Sequence, residues 1–493
     1  MWQFFRKKEL PNTAPVFLTN TLSGKREAFS SQKTGIVTMY SCGPTVYDRA
    51  HIGNLRAYVF SDVLARTLAT AGNNVRRVIN ITDVGHLVGD AEEGEDKMAV
   101  TATREKLRPE EIANRYASLF IEDIAKLNLD TKSILFPKAT EYVEEQIEMI
   151  KTLEEKGHTY RIKDGLYFDV STFPNYGKLG GVPEEIVKNG SADTLVERAG
   201  LAVRGRIKEN KDKRNPADFA LWRRARPGDL QQWNSPWGFG NPGWHIECSA
   251  MAKALLGETV DVHTGGMDHI SVHHNNEIAQ SECVNGRSLT RYWVHGAFLT
   301  ISGDKISKSL KNDIYLSDIE ERGIHPLALR YLFLQASYRT PLSFSFESLE
   351  ASNEALLRLW KACEEVGTDA KGIAEPSEAS RRIVAIARDD LSTPQAIAYL
   401  WECVKDDVLT AREAWGVVSA IEPILGLKLT DPPVRSRPYA LHELPEDVRA
   451  LVEERNAARK ARNYLDSDRL RIHLEDRGYR VEDGPSGTLL SPR

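Results

Sequence analysis

Two cysteines, a run of imidazoles ending in a carboxylate, and a loop of lysines alternating with serines are the groups here whose types and spacing can do chemistry. Cys42 lies in Tyr40-Ser-Cys-Gly-Pro-Thr-Val-Tyr-Asp-Arg-Ala-His-Ile-Gly-Asn54, and Cys248 in Gly243-Trp-His-Ile-Glu-Cys-Ser-Ala-Met251. Asp261-Val-His-Thr-Gly-Gly-Met-Asp-His269 then leads to His273-His-Asn-Asn-Glu277, and six of the 12 histidines fall between His245 and His295. In a helix, His273 and Glu277 project from one face, at the spacing of a two-ligand helical metal site. Two thiolates, an imidazole and a carboxylate suit zinc by ligand type. An ordinary helix pair beside two small buried cysteines satisfies the same spacing. The spacing alone leaves both readings open.

His51 and Asn54 also share one helix face, with Gly53 between them removing a side chain where a ligand can approach the backbone. A tight turn with a satisfied histidine fits as well. In Ile301-Ser-Gly-Asp-Lys-Ile-Ser-Lys-Ser-Leu310, two ammonium groups on one loop can follow negative charge developing on a triphosphate. A solvated basic turn is the commoner fate of such a loop.

The elements that must position these groups follow from periodicity. Ile36 to Tyr40 is an apolar, β-prone run and Leu55 to Leu68 an amphipathic helical pattern, with the Gly/Pro stretch between them. Strand, loop and helix start is where a doubly wound α/β fold binds nucleotide phosphates. Val16 to Phe29 reads as a hairpin turning at Ser23-Gly24-Lys25, and Val75 to Ile81 as a second strand ending in Thr82-Asp83. Helices follow from Pro109 to Leu127 and from Glu141 to Lys156, then short strands and Gly/Pro turns from Thr159 to Gly243. The acidic run Glu92 to Asp96 reads as solvated loop. Beyond the lysine loop the chain turns helical: Leu349 to Val366 puts Leu356, Leu357, Trp360 and Cys363 on one side, so Cys363 reads as core. Thr393-Pro394 reads as N-cap and first turn of a helix through about Val408.

Composition sets the class. With 493 residues, 41% hydrophobic, the chain can bury a large core, and a net charge of −5 means that a polyanionic partner needs a local basic face. Five scattered cysteines argue for a reducing compartment. The apolar run at Trp2 to Phe5 is too short for a signal peptide, and nothing approaches a membrane span. A cytoplasmic protein with no membrane association is expected.

Taken together, these stretches resemble the cysteinyl-tRNA synthetases, members of the class I aminoacyl-tRNA synthetases. His51-Ile-Gly-Asn54 is similar to the HIGH signature and Lys305-Ile-Ser-Lys-Ser309 to KMSKS, with Asn54 in place of the final His and Ile306 in place of Met. Cys42-Gly-Pro-Thr-Val-Tyr-Asp48, Asn80-Ile-Thr-Asp83, Gly243-Trp-His-Ile-Glu-Cys-Ser249 and His273-His-Asn-Asn-Glu-Ile-Ala-Gln280 resemble the cysteine enzyme specifically. The resemblance runs from about residue 16 to the C-terminus. Thr82-Asp-Val-Gly-His-Leu87 and the acidic residues after it depart from it, so nothing is carried over between Val84 and Asp96.

The resemblance implies an α/β fold: a Rossmann-like, doubly wound catalytic domain over 16–340 with an insertion at about 130–243. A helical bundle over 341–428, a linker over 429–445 and an anticodon-binding segment over 446–493 follow. It implies one zinc per chain held by Cys42, Cys248, His273 and Glu277 and joined by the substrate's thiolate. Four protein donors is one more than open catalytic zinc sites use, so Glu277 is the ligand expected to yield. Around the amino acid it implies Tyr40, Gly43, Thr82, Trp244 and His263; around ATP, Thr45, His51, Asn54, Gly266, Asp268 and Lys308. His51, Asn54, Lys305 and Lys308 are the implied catalytic set, and Mg2+ accompanies ATP. ATP, L-cysteine and cysteine tRNA are the implied partners, and a monomer is expected.

Arg455, Arg459, Arg462 and Arg469 fall at helical spacing in the tail and read either as a phosphate-facing stripe or as a salt-bridged exposed face. Resemblance of Arg455-Asn-Ala-Ala-Arg459, Asp466-Ser-Asp-Arg469 and Gly478 to Thr488 to the anticodon-binding segment favours the stripe. Three functions are thus in play: a cysteine–tRNA ligase, a paralogous ligase joining activated cysteine to a small amine, and an inactive tRNA-binding protein. Retention of His51 and Lys308 speaks against the last.

Overall fold

β-Branched and apolar residues at Ile36, Val37 and Met39 make Ile36–Ser41 (β1) the central strand of a five-stranded sheet. The structure, a computed structural model, describes residues 14–84, 97–180, 212–301, 304–305, 313–405, 408–433, 439, 441, 444–484 and 487–492. After β1 come Ile52–Thr70 (α1), Asn74–Ile79 (β2), Ile134–Leu135 (β3), Trp244–Leu256 (α2), Val260–Gly266 (β4), His273–Asn285 (α3) and Thr290–Gly296 (β5). The sheet order is β5-β4-β1-β2-β3, and every pairing is parallel. The winding reverses between β1 and β4, which opens a crevice at their C-terminal ends, where doubly wound sheets take ligands.

The opening hairpin pairs Phe17–Asn20 with Lys25–Ala28, with Gly24 at φ 68° in the turn. Residues 134–135, inside the stretch expected as insertion, instead supply β3 of the central sheet. An antiparallel sheet of Thr159–Ile162, Gly165–Phe168, Phe219–Arg224 and Gly240–Pro242 follows. Its buried Phe168, Phe219 and Leu221 share an apolar cluster with Ile278 and Ala279 of α3, so the inserted sheet is packed onto the site-bearing helix.

Helices Phe346–Asp369, Glu378–Arg388, Thr393–Lys405 and Ala411–Leu425 form the bundle. Thr393 does not cap: its hydroxyl donates to Leu334 O at 2.8 Å, because the residue is drawn inward against the end of the helix Pro326–Leu334. Cys363 is fully buried, as core. One apolar cluster runs without a break from α1 (Leu64, Leu68) into the bundle (Leu356, Ile421). At that junction the buried Asp62 of α1 accepts from Arg330 at 2.9 Å and from Arg77 at 2.9 Å. Burial pushes the Asp62 carboxyl up, but Arg330, Arg66 and Arg77 outweigh it and hold its pKa at about 2. A buried charge is tolerable only with such partners.

The tail folds about its own core of Val448, Val452, Leu474, Val481 and Leu490, from two helices and a hairpin. This core corrects the arginine stripe. Arg455 is 1% exposed and donates to Asp483 Oδ1 at 2.8 Å and to Thr488 Oγ1 at 2.6 Å, and Arg459 also pairs with Asp483. Helical periodicity places Arg455 beside Val448 and Val452, on the face the hairpin covers. It therefore cannot reach a phosphate. Arg462 and Arg469 remain exposed.

Candidate active site and metal-ligand cluster

The crevice is lined by the loop after β1, the end of β4 and the first turns of α2 and α3. The loop is held by its backbone: Cys42 N–H donates to Thr264 O at 3.2 Å and Val46 N–H to Thr82 O at 3.1 Å. Gly43 has a strict steric reason. A Cβ there would lie 1.5 Å from Asn80 O, so no other residue fits without moving β2.

Cys42, Cys248, His273 and Glu277, far apart in sequence, converge so that their donor atoms all lie within 4.8 Å of one another, and all four are buried. His273 and Glu277 meet across one turn of α3, Nε2 to Oε1 2.9 Å. Cys42 Sγ is 3.6 Å from the same carboxylate oxygen. The donor atoms of a second group, Cys42, His263, His274 and Glu277, also lie within 4.8 Å of one another. The two share Cys42 and Glu277, and only the first holds both thiols.

Electrostatics keep the carboxylate ionised. Burial opposes its charge, but His263 and His273 outweigh burial and hold the Glu277 carboxyl well below the usual range. Burial also pushes His273 down, yet Glu277 and Cys248 take it up to about 10. Burial raises the Cys42 thiol, whereas the hydrogen bond from Cys42 lowers Cys248. One anionic oxygen donor, two thiols, one of them polarised, and one imidazole in a dry pocket fit a divalent cation, whose binding would displace the remaining protons.

Of the expected amino-acid contacts, Tyr40 and His263 line the cluster. The Tyr40 hydroxyl is wholly buried, with no hydrogen-bond partner of good geometry among the described residues. His263 donates from Nε2 to Glu277 Oε2 at 2.9 Å and leaves Nδ1 without a partner. Buried polar atoms left unpaired are costly, and both become paired if a polar ligand enters. The Trp244 ring packs 4.8 Å from that of His273. Thr82 and Gly43 are otherwise engaged: the Thr82 hydroxyl donates to Glu247 at 3.1 Å, and Gly43 N–H donates to Asn80 Oδ1 at 2.8 Å. They shape the pocket from behind.

The expected nucleotide residues other than Lys308 follow the C-terminal ends of the sheet's strands. Gly266 ends β4, Asp268 sits in the following 3-10 turn, and Thr45 bridges to Thr82. His51 caps α1, with Nδ1 accepting from Asn54 N–H at 3.2 Å, while Asn54 Oδ1 accepts from His51 N–H at 3.2 Å. Asn54 thus closes a reciprocal cap and, being exposed, needs no ring to do so. Because His51 Nδ1 accepts, its Nε2 carries the proton and is a donor. Lys305 pairs by its backbone with Thr300, and Lys308 lies outside the described residues, as does the stretch 85–96.

Spacing did not reveal three residues behind the cluster. His245 Nδ1 meets His273 Nδ1 at 2.8 Å, so His273 can donate there and turn Nε2 toward the donors. His274 links Cys42, at 3.3 Å, to His295 at 2.7 Å. Asn80 binds Gly43, Thr82 and Cys248 together. The density of histidines between 245 and 295 was the available signal; their pairing depends on strand register.

The sequence model described as the class I (C) tRNA synthetase catalytic domain matches residues 28–354. A cysteine–tRNA ligase 1 of Burkholderia lata is 44% identical over 480 residues, covering 97% of each chain. Cysteine–tRNA ligases of Chlorobaculum tepidum and Treponema denticola are 38% and 39% identical, over 96% and 94% of this chain and 98% and 97% of theirs. Among solved structures, an Agrobacterium radiobacter LeuRS in a ternary complex with tRNA and LeuAMS aligns with TM-score 0.57, at 11% identity over 81% of this chain and 85% of its own. Mycobacterium tuberculosis methionyl-tRNA synthetase with methionyl-adenylate aligns at 0.53, with 14% identity over 80% and 93%. The structural likenesses establish the fold alone, and the sequence matches go further: the chain belongs to the cysteine–tRNA ligase family of class I aminoacyl-tRNA synthetases.

Proposed function

We propose that this protein activates L-cysteine with ATP and transfers it to the 3′ end of its tRNA. The observation that carries the reading is the convergence of Cys42, Cys248, His273 and Glu277 at the sheet's reversal point, in a chain of this family. The tested outcome is direct. Among the amino acids, cysteine alone is expected to drive pyrophosphate exchange, and total tRNA then to accept it. Exchange without any charging would point to the small-amine ligase.

Zinc is the ion this donor set favours, held by Cys42, Cys248, His273 and Glu277. Bound there, it would prefer a thiolate strongly over serine's hydroxyl, a distinction an ordinary pocket makes poorly. The chain's own residues do the rest. Tyr40 and His263 offer the unpaired polar atoms that orient the amino acid. Glu277 keeps a hydrogen bond to His263 through its second oxygen, so it can leave a metal without becoming an unpaired buried charge. His51, a neutral donor at the N-terminus of α1, faces the phosphates with the positive end of the helix dipole. Thr45, Asn54, Gly266 and Asp268 bound the nucleotide, and Mg2+ accompanies it as counter-charge.

The cysteine carboxylate attacks the α-phosphorus in line and pyrophosphate leaves; the ribose hydroxyl of the tRNA then attacks the activated carbonyl and AMP leaves. Lys305 and Lys308 supply charge to the leaving phosphates. No described helix is long and apolar enough to cross a membrane, and a cytoplasmic monomer is the reading we adopt.

The metal assignment has its own measurement. Cobalt(II) in place of zinc is expected to give a thiolate charge-transfer band that changes with cysteine and not with serine. His245→Ala is expected to weaken metal binding about ten- to hundredfold through loss of the partner that orients His273. A band indifferent to saturating cysteine would mark a closed, purely structural site.

A further inference from the structure

Arg56 sits in the second turn of α1, two residues past the His51–Asn54 cap, and is 4% exposed. Its Nη1 donates to Ala297 O at 3.0 Å and also to Phe298 O, and its Nη2 donates to Ser337 O at 3.2 Å and Thr340 O at 2.7 Å. No carboxylate pairs with it among the described residues, so four backbone carbonyls alone solvate the charge. Burial lowers its pKa to about 10, leaving it cationic near neutrality. A buried charge is an expensive way to fill space.

What those carbonyls belong to is informative. Ala297 and Phe298 immediately precede the strand Leu299–Ile301, which pairs with Asp304–Lys305 on one side and Leu342–Phe344 on the other. Ser337 and Thr340 lead into that third strand, so Arg56 grips both parallel strands of the small sheet at one end. Past the lysine stretch, Ile314 O accepts from Ile52 N–H, in the first turn of α1, at 2.8 Å. The chain on either side of residues 302–312 is thus tied to the helix that His51 caps.

We infer that Arg56 is a positioning residue for amino-acid activation, holding the base of the lysine-bearing segment in register with His51 through backbone carbonyls on both supporting strands. Its planar fork spans two pairs of acceptors, which a point-charge ammonium cannot. A misplacement of about 1 Å in a reacting constellation can cost about a hundredfold. The inference rests on the ligase reading.

The test is a double-mutant cycle in the full-length, metal-loaded chain: Arg56→Lys, Lys308→Ala and both together. Arg56→Lys is expected to slow single-turnover adenylate formation by about ten- to hundredfold, with cysteine affinity, read from the cobalt spectrum, unchanged within about threefold. In the Lys308→Ala background the same change is expected to cost less than about threefold, because the group it positions is gone. Equal losses in both backgrounds, a loss confined to cysteine affinity, or wild-type rates would each overturn the proposal. Arg56→Gln, neutral with two donors, takes its place in the cycle if the lysine variant does not fold. Failure of both to fold would make Arg56 a stability element and end the proposal. A wild-type chain without cysteine-dependent exchange would instead overturn the ligase reading itself.

Discussion

Lys308→Ala is expected to slow formation of cysteinyl-adenylate by about a hundredfold or more while leaving cysteine affinity nearly unchanged. Negative charge shifts onto the leaving pyrophosphate only as the bond to the α-phosphorus breaks, so an ammonium that tracks it acts mainly in the transition state. Lys308 lies outside the described residues, but its supports are in place: the strand pair Thr300–Lys305 before it and the Ile52–Ile314 hydrogen bond after it. Rapid-quench measurement of one turnover separates the two effects. An intact activation rate with weakened cysteine binding would show that Lys308 has been given the wrong role.

Deleting residues 436–493 is expected to leave cysteine-dependent pyrophosphate exchange within a fewfold and to reduce tRNA charging severely. The first half follows from packing. The tail closes its own apolar core, separate from the cluster joining α1 to the bundle, so its removal leaves the sheet's core intact. The second half follows from reach, since a tRNA is far longer than the crevice and a distal module can grip what the catalytic fold cannot. Arg459→Ala with Arg462→Ala is expected to lower tRNA affinity and flatten its salt dependence, the slope falling by about one for each phosphate that these side chains neutralise. Arg455→Ala belongs to a different class, because it would leave Asp483 and Thr488 without their buried partner and loosen the tail. A truncated chain that charged tRNA as well as the intact one would make the tail merely structural and turn attention to a small-amine acceptor.

Strand register decided matters that spacing left open. His273 and Glu277 can be paired from sequence because one helical turn fixes their separation. That Cys42 and Cys248 meet them depends on β1 lying beside β4, a neighbour relation set by the reversal of the sheet. Thr393 departs from its expected role because a cap is judged locally, whereas the Leu334 carbonyl that takes its hydroxyl comes from another helix. Asn54 shows the opposite case: the change from His looks like a missing group, yet its short amide suffices to close the cap with His51.

Residue types and local spacing determined the α/β class, the helix-borne pair of donors and the two signature motifs that carry the family resemblance, because each depends on periodicity or on contiguous motifs. Tertiary structure alone decided which histidines back the donors, that Arg455 turns inward, and that Arg56 ties the backbone at Ala297–Phe298 and at Ser337 and Thr340 to the His51 helix. The physical reason is common to all three. Each rests on a hydrogen bond between segments whose approach is set by sheet order and core packing, and no local pattern carries that distance.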